Sequence, residues 1–238
     1  MARLQPIPHI KVEQTELARF DERWRANGGR LSRTPPQSSS QLGNMFDAAV
    51  GSMLATMLGG IPVVRPTSTA LTASVVDCVE VGPVRIIGGV RPQNFDVGYR
   101  PDGVRFAFDS KTLNDTDSLK KNWQNMINDL ATEATTVHSR FPHAVVTFMV
   151  IIPTPCFIEP QRSAVIETLE RLGQRVSVED PGYMAEAISL VIWNPDDGRI
   201  ETEVPSPTSS LRLEKFPAQI EAAYVSRYKG LPPHAVAE

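Results

Sequence analysis

Residues 95–112 read FDVGYRPDGVRFAFDSKT, and the fold turns on how this stretch pairs. Two runs rich in aromatic and β-branched residues flank Pro101-Asp102-Gly103, the composition of two short strands around a turn. Yet the strands carry Asp96, Asp109 and Lys111, residue types that strands disfavour. If Asp102-Gly103 is a two-residue hairpin loop, Pro101 stands opposite Val104 and Asp96 stands opposite Asp109. Lys111 then projects from the face that holds both carboxylates, because strand side chains alternate. Phe95, Val97 and Tyr99 point the other way, together with Phe106 and Phe108. A three-residue Pro-Asp-Gly loop would instead put Asp96 opposite Phe108.

Carboxylates directly opposed on two strands, with Cβ atoms about 5 Å apart, repel each other. Lys111 offsets part of that repulsion, and a divalent cation between them offsets more. Mg2+ binds a small number of carboxylates and completes its shell with water and phosphate oxygens. Asp102 belongs to the turn, where Pro-Asp-Gly is ordinary turn chemistry, and it is left out of the site. The competing reading is a solvated strand face whose charges need no metal.

Outward from the hairpin, KVEQTELARFDERWRA at 11–26 has helical spacing and stops at Gly28-Gly29. RTPPQSSS at 33–40 is a loop. In 41–60, Leu42, Met45, Phe46, Ala49, Val50, Met53, Leu54 and Met57 form one stripe of a buried helix ending at Gly59-Gly60. From 73 the period changes to two, and SVVDCVEV, PVRIIGGV, NFDVGY and VRFAFDSK read as successive antiparallel strands. A helix follows over 116–139, with Asp117 or Ser118 as N-cap. HAVVTFMVII is then a strand buried on both faces. PQRSAVIETLERLGQR is a helix, AISLVIW a strand, NPDDG a turn and RIETEV a return strand, with a last helix near 214–228. The order predicts an α/β fold, a central mixed sheet flanked by helices on both faces.

The bulk composition narrows the function classes. The 238 residues carry a formal charge of −3, so nucleic-acid binding would rest on a local patch or on metal ions rather than on overall charge. Cys78 and Cys156 form neither a disulfide framework nor a zinc cluster. His138 and His143 are separated by Phe141-Pro142, which breaks the spacing of a metal-binding pair. No stretch has the apolar length of a signal peptide or a membrane span, which makes the cytoplasm the expected location. No Gly-x-Ser-x-Gly elbow supports acyl transfer.

The spacing Asp96-x12-Asp109-Ser110-Lys111, in a hairpin preceded by a helix and followed by a helix and a buried strand, resembles the PD-(D/E)xK nuclease superfamily, which includes most type II restriction endonucleases. Phe95 stands where the family name has proline. The resemblance implies a restriction endonuclease-like core over 41–152 within a single nuclease domain spanning 1–238, with 1–40 and 153–238 as additions. It implies a Mg2+-dependent phosphodiesterase, with Mn2+ as a substitute, leaving 5′-phosphate ends. Asp96 and Asp109 would bind the metal together with the Ser110 carbonyl, and Lys111 would orient or activate the attacking water and stabilise phosphate charge. The family often has an acidic residue on the first helix; Asp47 is the nearest equivalent, and Glu80, on an earlier strand, is the other candidate.

Lys120, Lys121 and Asn122 open the helix after the hairpin and are candidates for phosphate contacts, as basic side chains and helix N-termini favour anions. Arg100 and Arg105, beside the turn, and Arg30 and Arg33 are further candidates. The loops GGRLSRTPPQSSSQ and PSPTSSLR could read bases. The leading expectation is a homodimeric type II restriction enzyme acting on double-stranded DNA. A structure-directed repair or recombination nuclease and a non-catalytic interaction domain are the alternatives.

Overall fold

The computed structural model of the chain describes residues 4–26, 28, 38–67, 69–114 and 116–234. Its strands are β1 (Val63–Val64), β2 (Val79–Ile87), β3 (Pro92–Tyr99), β4 (Phe106–Thr112), β5 (Val145–Pro153) and β6 (Ala187–Trp193). The helices are α1 (Gln14–Ala26), α2 (Ser38–Met57), α3 (Thr116–His138), α4 (Gln161–Leu172) and α5 (Phe216–Tyr228). The six strands lie side by side in chain order. β2, β3 and β4 run antiparallel, while β4, β5 and β6 run parallel, so α3 and α4 serve as the crossovers that parallel neighbours require.

Two apolar clusters cover the two faces of the sheet. Leu17 and Phe20 of α1, Leu42, Phe46, Val50 and Leu54 of α2, and Phe216, Ile220 and Tyr224 of α5 pack with Val97, Phe106, Phe108, Met149 and Trp193. On the opposite face Leu119, Met126, Leu130 and Val137 of α3 and Val165 and Leu169 of α4 pack with Ala107, Phe148, Val150, Ile188 and Leu190. Both β5 and β6 are buried throughout, as their unbroken apolar runs require. The three-layer arrangement expected from the element order is therefore present. At Gly51, a Cβ would lie 2.2 Å from Val81 Cγ2, and only glycine lets α2 sit this close to β2.

Three strand expectations change. SVVDCVEV and PVRIIGGV are parts of one strand, with residues 74–78 irregular ahead of it. RIETEV supplies a single bridge, Ile200 to Trp193, rather than a return strand, because Arg212 draws the carbonyls of Glu201, Thr202 and Pro205 to itself at 2.9–3.3 Å. The two-residue strand β1 has too little sequence to be recognised by periodicity.

Several buried charges outside the hairpin are paired. Glu186 receives Arg175 at 2.7 Å and Arg227 at 2.8 Å, tying the α4–β6 connection to α5. Cys78 and Cys156 are both buried and take part in no disulfide. Among the described residues, no helix is long and apolar enough to cross a membrane.

Candidate active site

The hairpin keeps the expected register without the expected loop. Val97 pairs with Phe108, Gly98 with Ala107 and Tyr99 with Phe106, the alignment that brings Asp96 opposite Asp109. The connection between the strands is six residues long, Arg100 to Arg105, closed by an Arg105 N–H to Tyr99 carbonyl bond of 3.0 Å. Its two arginines open it. Arg100 turns inward to Glu80, with Nε–Oε2 at 2.6 Å and Nη2–Oε1 at 2.7 Å, both side chains buried. Arg105 is held by Asp102 and the Pro232 carbonyl and lies 4.7 Å over the Tyr228 ring.

These contacts correct two nucleic-acid candidates and one acidic candidate. Arg100 and Arg105 are 8% and 4% exposed, and their guanidinium groups are committed to protein partners. Glu80 is fully buried against Arg100 and is no part of the site. Asp102 is the turn residue it was read to be, and the Arg105 guanidinium lowers its pKa.

The β3–β4 ladder stops at Val97–Phe108. Beyond it, β3 continues against β2 alone and β4 against β5 alone, which leaves a gap beside Asp96 and Ser110. The cause lies across β3. Gly82 and Pro83 of β2 together face Asp96, a bulge made possible by the positive φ of Gly82, +128°. Side-chain alternation breaks there. Val97, Tyr99, Phe106 and Phe108 share the α2 face as expected, but Phe95 packs on the α3 face with Val84 and Ala107. The expected grouping of Phe95 with Val97 fails because a bulge re-aims the side chains beside it.

In the gap Asp96 Oδ2 accepts the Ser110 N–H at 2.9 Å and the Ser110 hydroxyl at 3.2 Å. Since the N–H and C=O of one strand residue point toward the same neighbour, the Ser110 carbonyl also faces this gap. The Asp96 and Asp109 carboxyls lie close enough to raise the proton affinity of Asp96. Asp47 joins from α2: it lies beside the Ser110 hydroxyl, and its Oδ1 is buried without a partner among the described residues. Ser40, Gly43, Asn44, Asp47, Asp96, Ser110 and Thr112 line an open cavity of about 240 Å³. Lys111 lies on the α3 side, where its Nζ donates to Asp109 and, at 2.8 Å, to Glu133 Oε1.

The expected single face of charges is therefore a cluster that passes through the sheet at the gap. Ser110 and Asp47 lie on the α2 side, Lys111 and Glu133 on the α3 side, and Asp96 and Asp109 touch between them. Glu133 was not foreseen. It sits in the otherwise apolar α3 stripe of Met126, Leu130, Ala134 and Val137, and a lone acidic residue on such a face was the available signal. Asn44 and Ser40, one and two turns before Asp47, were also missed.

Asp47, Asp96, Asp109 and Glu133 gather around a single ammonium, and the three aspartates have raised proton affinities. Burial and then Asp96 push Asp47 up to about 8. Burial and then Asp109 push Asp96 up to about 7. Burial raises Asp109 to about 6, against the opposing pull of Lys111. For Lys111 burial works against the charge, but Asp109 and Glu133 outweigh it and hold the ammonium above its usual range.

Among the described residues, no three histidine, cysteine, aspartate or glutamate side chains close into a preformed metal cage. The donors nevertheless fit a hard cation that takes one or two carboxylates and leaves its other positions to water and phosphate. They are oxygen-only, over-supplied with negative charge, and include the orphaned Asp47 Oδ1.

Of the remaining candidates, Lys120 and Asn122 are exposed on α3. They precede Glu133 by 13 and 11 residues, which places them about 15–20 Å along the helix from the Lys111 contact at 1.5 Å per residue. They are not beside the cluster itself. The Lys121, Asp117 and Ser118 side chains, with Arg30 and Arg33, lie outside the described residues. Compared with known proteins, the chain matches no family model, no curated protein and no solved structure.

Proposed function

We propose that this chain is a Mg2+-dependent endonuclease that hydrolyses DNA phosphodiester bonds and leaves 5′-phosphate ends. The observation that carries the reading is the meeting of Asp96 and Asp109 in a gap of the sheet, with Lys111 on one side and Asp47 on the other. Buried acids of raised proton affinity around one amine are costly to keep for structural reasons alone and belong with functional sites. The order α2, β3–β4 hairpin, α3, β5 agrees with the core of the PD-(D/E)xK nucleases. Burial of Asp47, Asp109 and Glu133 to 5–6% exposure argues against a merely solvated strand face.

Asp96 and Asp109 would hold the cation with the Ser110 carbonyl, and Asp47 would add its free oxygen. Bound Mg2+ supplies Lewis acidity, polarising the phosphate and acidifying water. Lys111, kept as an ammonium, stabilises negative charge gathering on the phosphate oxygens, as fixed charge aimed at a transition state does. Ser110, through its N–H and hydroxyl, fixes the Asp96 carboxylate. Lys120 and Asn122 contact phosphates flanking the scissile one. A homodimer of the restriction type supplies one such site per strand.

The test is incubation of purified protein with unmodified plasmid and genomic DNA in Mg2+ or Mn2+. Discrete fragments with 5′-phosphate ends, lost in Asp109→Ala, support the reading, and end sequencing then gives the cut position. Intact DNA across linear, supercoiled and branched substrates, from folded protein, overturns it.

A further inference from the structure

We infer that Glu133 is a positioning residue for Lys111: it anchors the ammonium from α3 so that Asp109 is free to serve a cation. The inference rests on the nuclease reading for its catalytic consequence, but its structural part stands on the contact itself.

Glu133 lies on the face of α3 that packs against the sheet, among Met126, Leu130, Ala134 and Val137, and its side chain is 7% exposed. A carboxylate in such surroundings is unfavourable unless a charge meets it. Lys111 Nζ meets it at 2.8 Å. Glu133 Oε2 has no partner among the described residues, and the Lys111 ammonium on Oε1 is the charge that offsets the burial. An acidic residue has little reason to be here unless the ammonium is to be held.

An ammonium has three donors. One goes to Asp109 on β4 and one to Glu133 on α3, and among the described residues the third has no protein partner. Two anchors on different elements fix the position of Nζ, and the third donor remains for a phosphate oxygen or water. The Lys111 side chain is 27% exposed, enough for such a group to reach it.

Asp109 alone could not do both jobs. It touches Asp96 and Lys111, so a cation drawn to the two aspartates would compete with the ammonium for the same carboxylate. Like charges sharing one anion repel. Glu133 gives Lys111 a second anion that is turned to the α3 side, away from the cavity lined by Asp47 and Asp96. Lys111 then stays in place when Asp109 is occupied.

Two measurements test this. The first uses 15N-labelled protein without metal or DNA and follows the lysine ammonium resonances, with that of Lys111 assigned through Lys111→Arg. Anchored by two carboxylates, the Lys111 ammonium exchanges its protons slowly and gives a resolved signal, which disappears in Glu133→Gln. The second is single-turnover cleavage in Mg2+. Glu133→Gln lowers the rate about a hundredfold, the cost of a misplaced catalytic group, with DNA affinity unchanged. Glu133→Leu, which suits the apolar face of α3 and preserves the fold, gives the same two losses, and Glu133→Asp recovers part of the rate.

Loss of the signal together with the rate supports the inference. A wild-type protein that cuts DNA, with a Glu133→Gln rate within about twofold of it, overturns the inference whatever the resonance does. A wild-type protein that cuts no DNA, while the signal still depends on Glu133, overturns the nuclease reading and supports the anchoring.

Discussion

Asp96 Oδ2 accepts the backbone N–H of Ser110 at 2.9 Å, so a side chain takes the place of a β3 carbonyl where the β3–β4 ladder ends. A strand pair that parts would leave the Ser110 N–H unsatisfied, and Asp96 removes that penalty while holding the strands apart. The same carboxyl meets Asp109 and lies near Asp47. One residue thus ends the ladder and brings the acidic groups together.

Charge and hydrogen bonding at Asp96 are separable. Asp96→Asn keeps an acceptor for Ser110 but removes the charge, so the fold is retained and cleavage falls at least about a hundredfold. Asp102→Asn leaves cleavage within about twofold of wild type while lowering stability by about 1 kcal/mol, because Arg105 loses an ionised partner. Parallel cleavage assays and denaturant titrations check both. Equal loss of cleavage in the two variants would contradict the assignment of Asp102 to the turn.

The acidic cluster makes metal-free stability depend on pH in a definite direction. Asp47, Asp96 and Asp109 have folded-state values raised to about 8, 7 and 6. The unfolded chain therefore releases these protons first, near the ordinary carboxyl value of about 4. Between that pH and about 8 the folded protein binds more protons, so the stability these groups contribute at low pH is lost as pH rises. Asp47→Asn stabilises the metal-free protein by about 1–3 kcal/mol at pH 8 and by little at pH 4. Thermal melts of both proteins across this range measure the difference, and added Mg2+ narrows it by stabilising the wild type more than the variant.

Arg100 is a folding residue. Arg100→Met strands the Glu80 carboxylate in a fully buried position, at a cost of about 3–5 kcal/mol. The double variant Glu80→Gln, Arg100→Met recovers most of that loss, and DNA affinity per folded molecule is unchanged in both. Urea denaturation and a filter-binding assay read the two effects separately.

Lys120 acts on affinity rather than chemistry. On the proposed nuclease reading the exposed Lys120 meets a flanking phosphate, and Lys120→Ala then reduces the salt dependence of DNA binding by about one counterion. The single-turnover rate at saturating DNA stays the same. A variant whose slope matches wild type removes Lys120 from the interface.

Periodicity and turn chemistry determined most of the architecture by themselves. The Met-rich stripe of α2, the fully apolar β5 and β6, and the aromatic strands around Pro101-Asp102-Gly103 each encode a local preference that burial then satisfies. The register that sets Asp96 across from Asp109 was legible through an assumed two-residue Asp102-Gly103 loop, and it holds although the actual connection is six residues long. Tertiary structure decided the rest. The bulge at Gly82-Pro83 lies on a neighbouring strand, and no local pattern in β3 announces that Phe95 will change faces there. Glu133 is 22 residues from Lys111, and Glu80 is 20 from Arg100; a charge pair across such separations leaves no spacing to read. Which arginine faces solvent and which is drawn inward depends on where a buried carboxylate awaits it. That is a property of packed elements, because a charge can leave water only where the folded chain has already placed its partner.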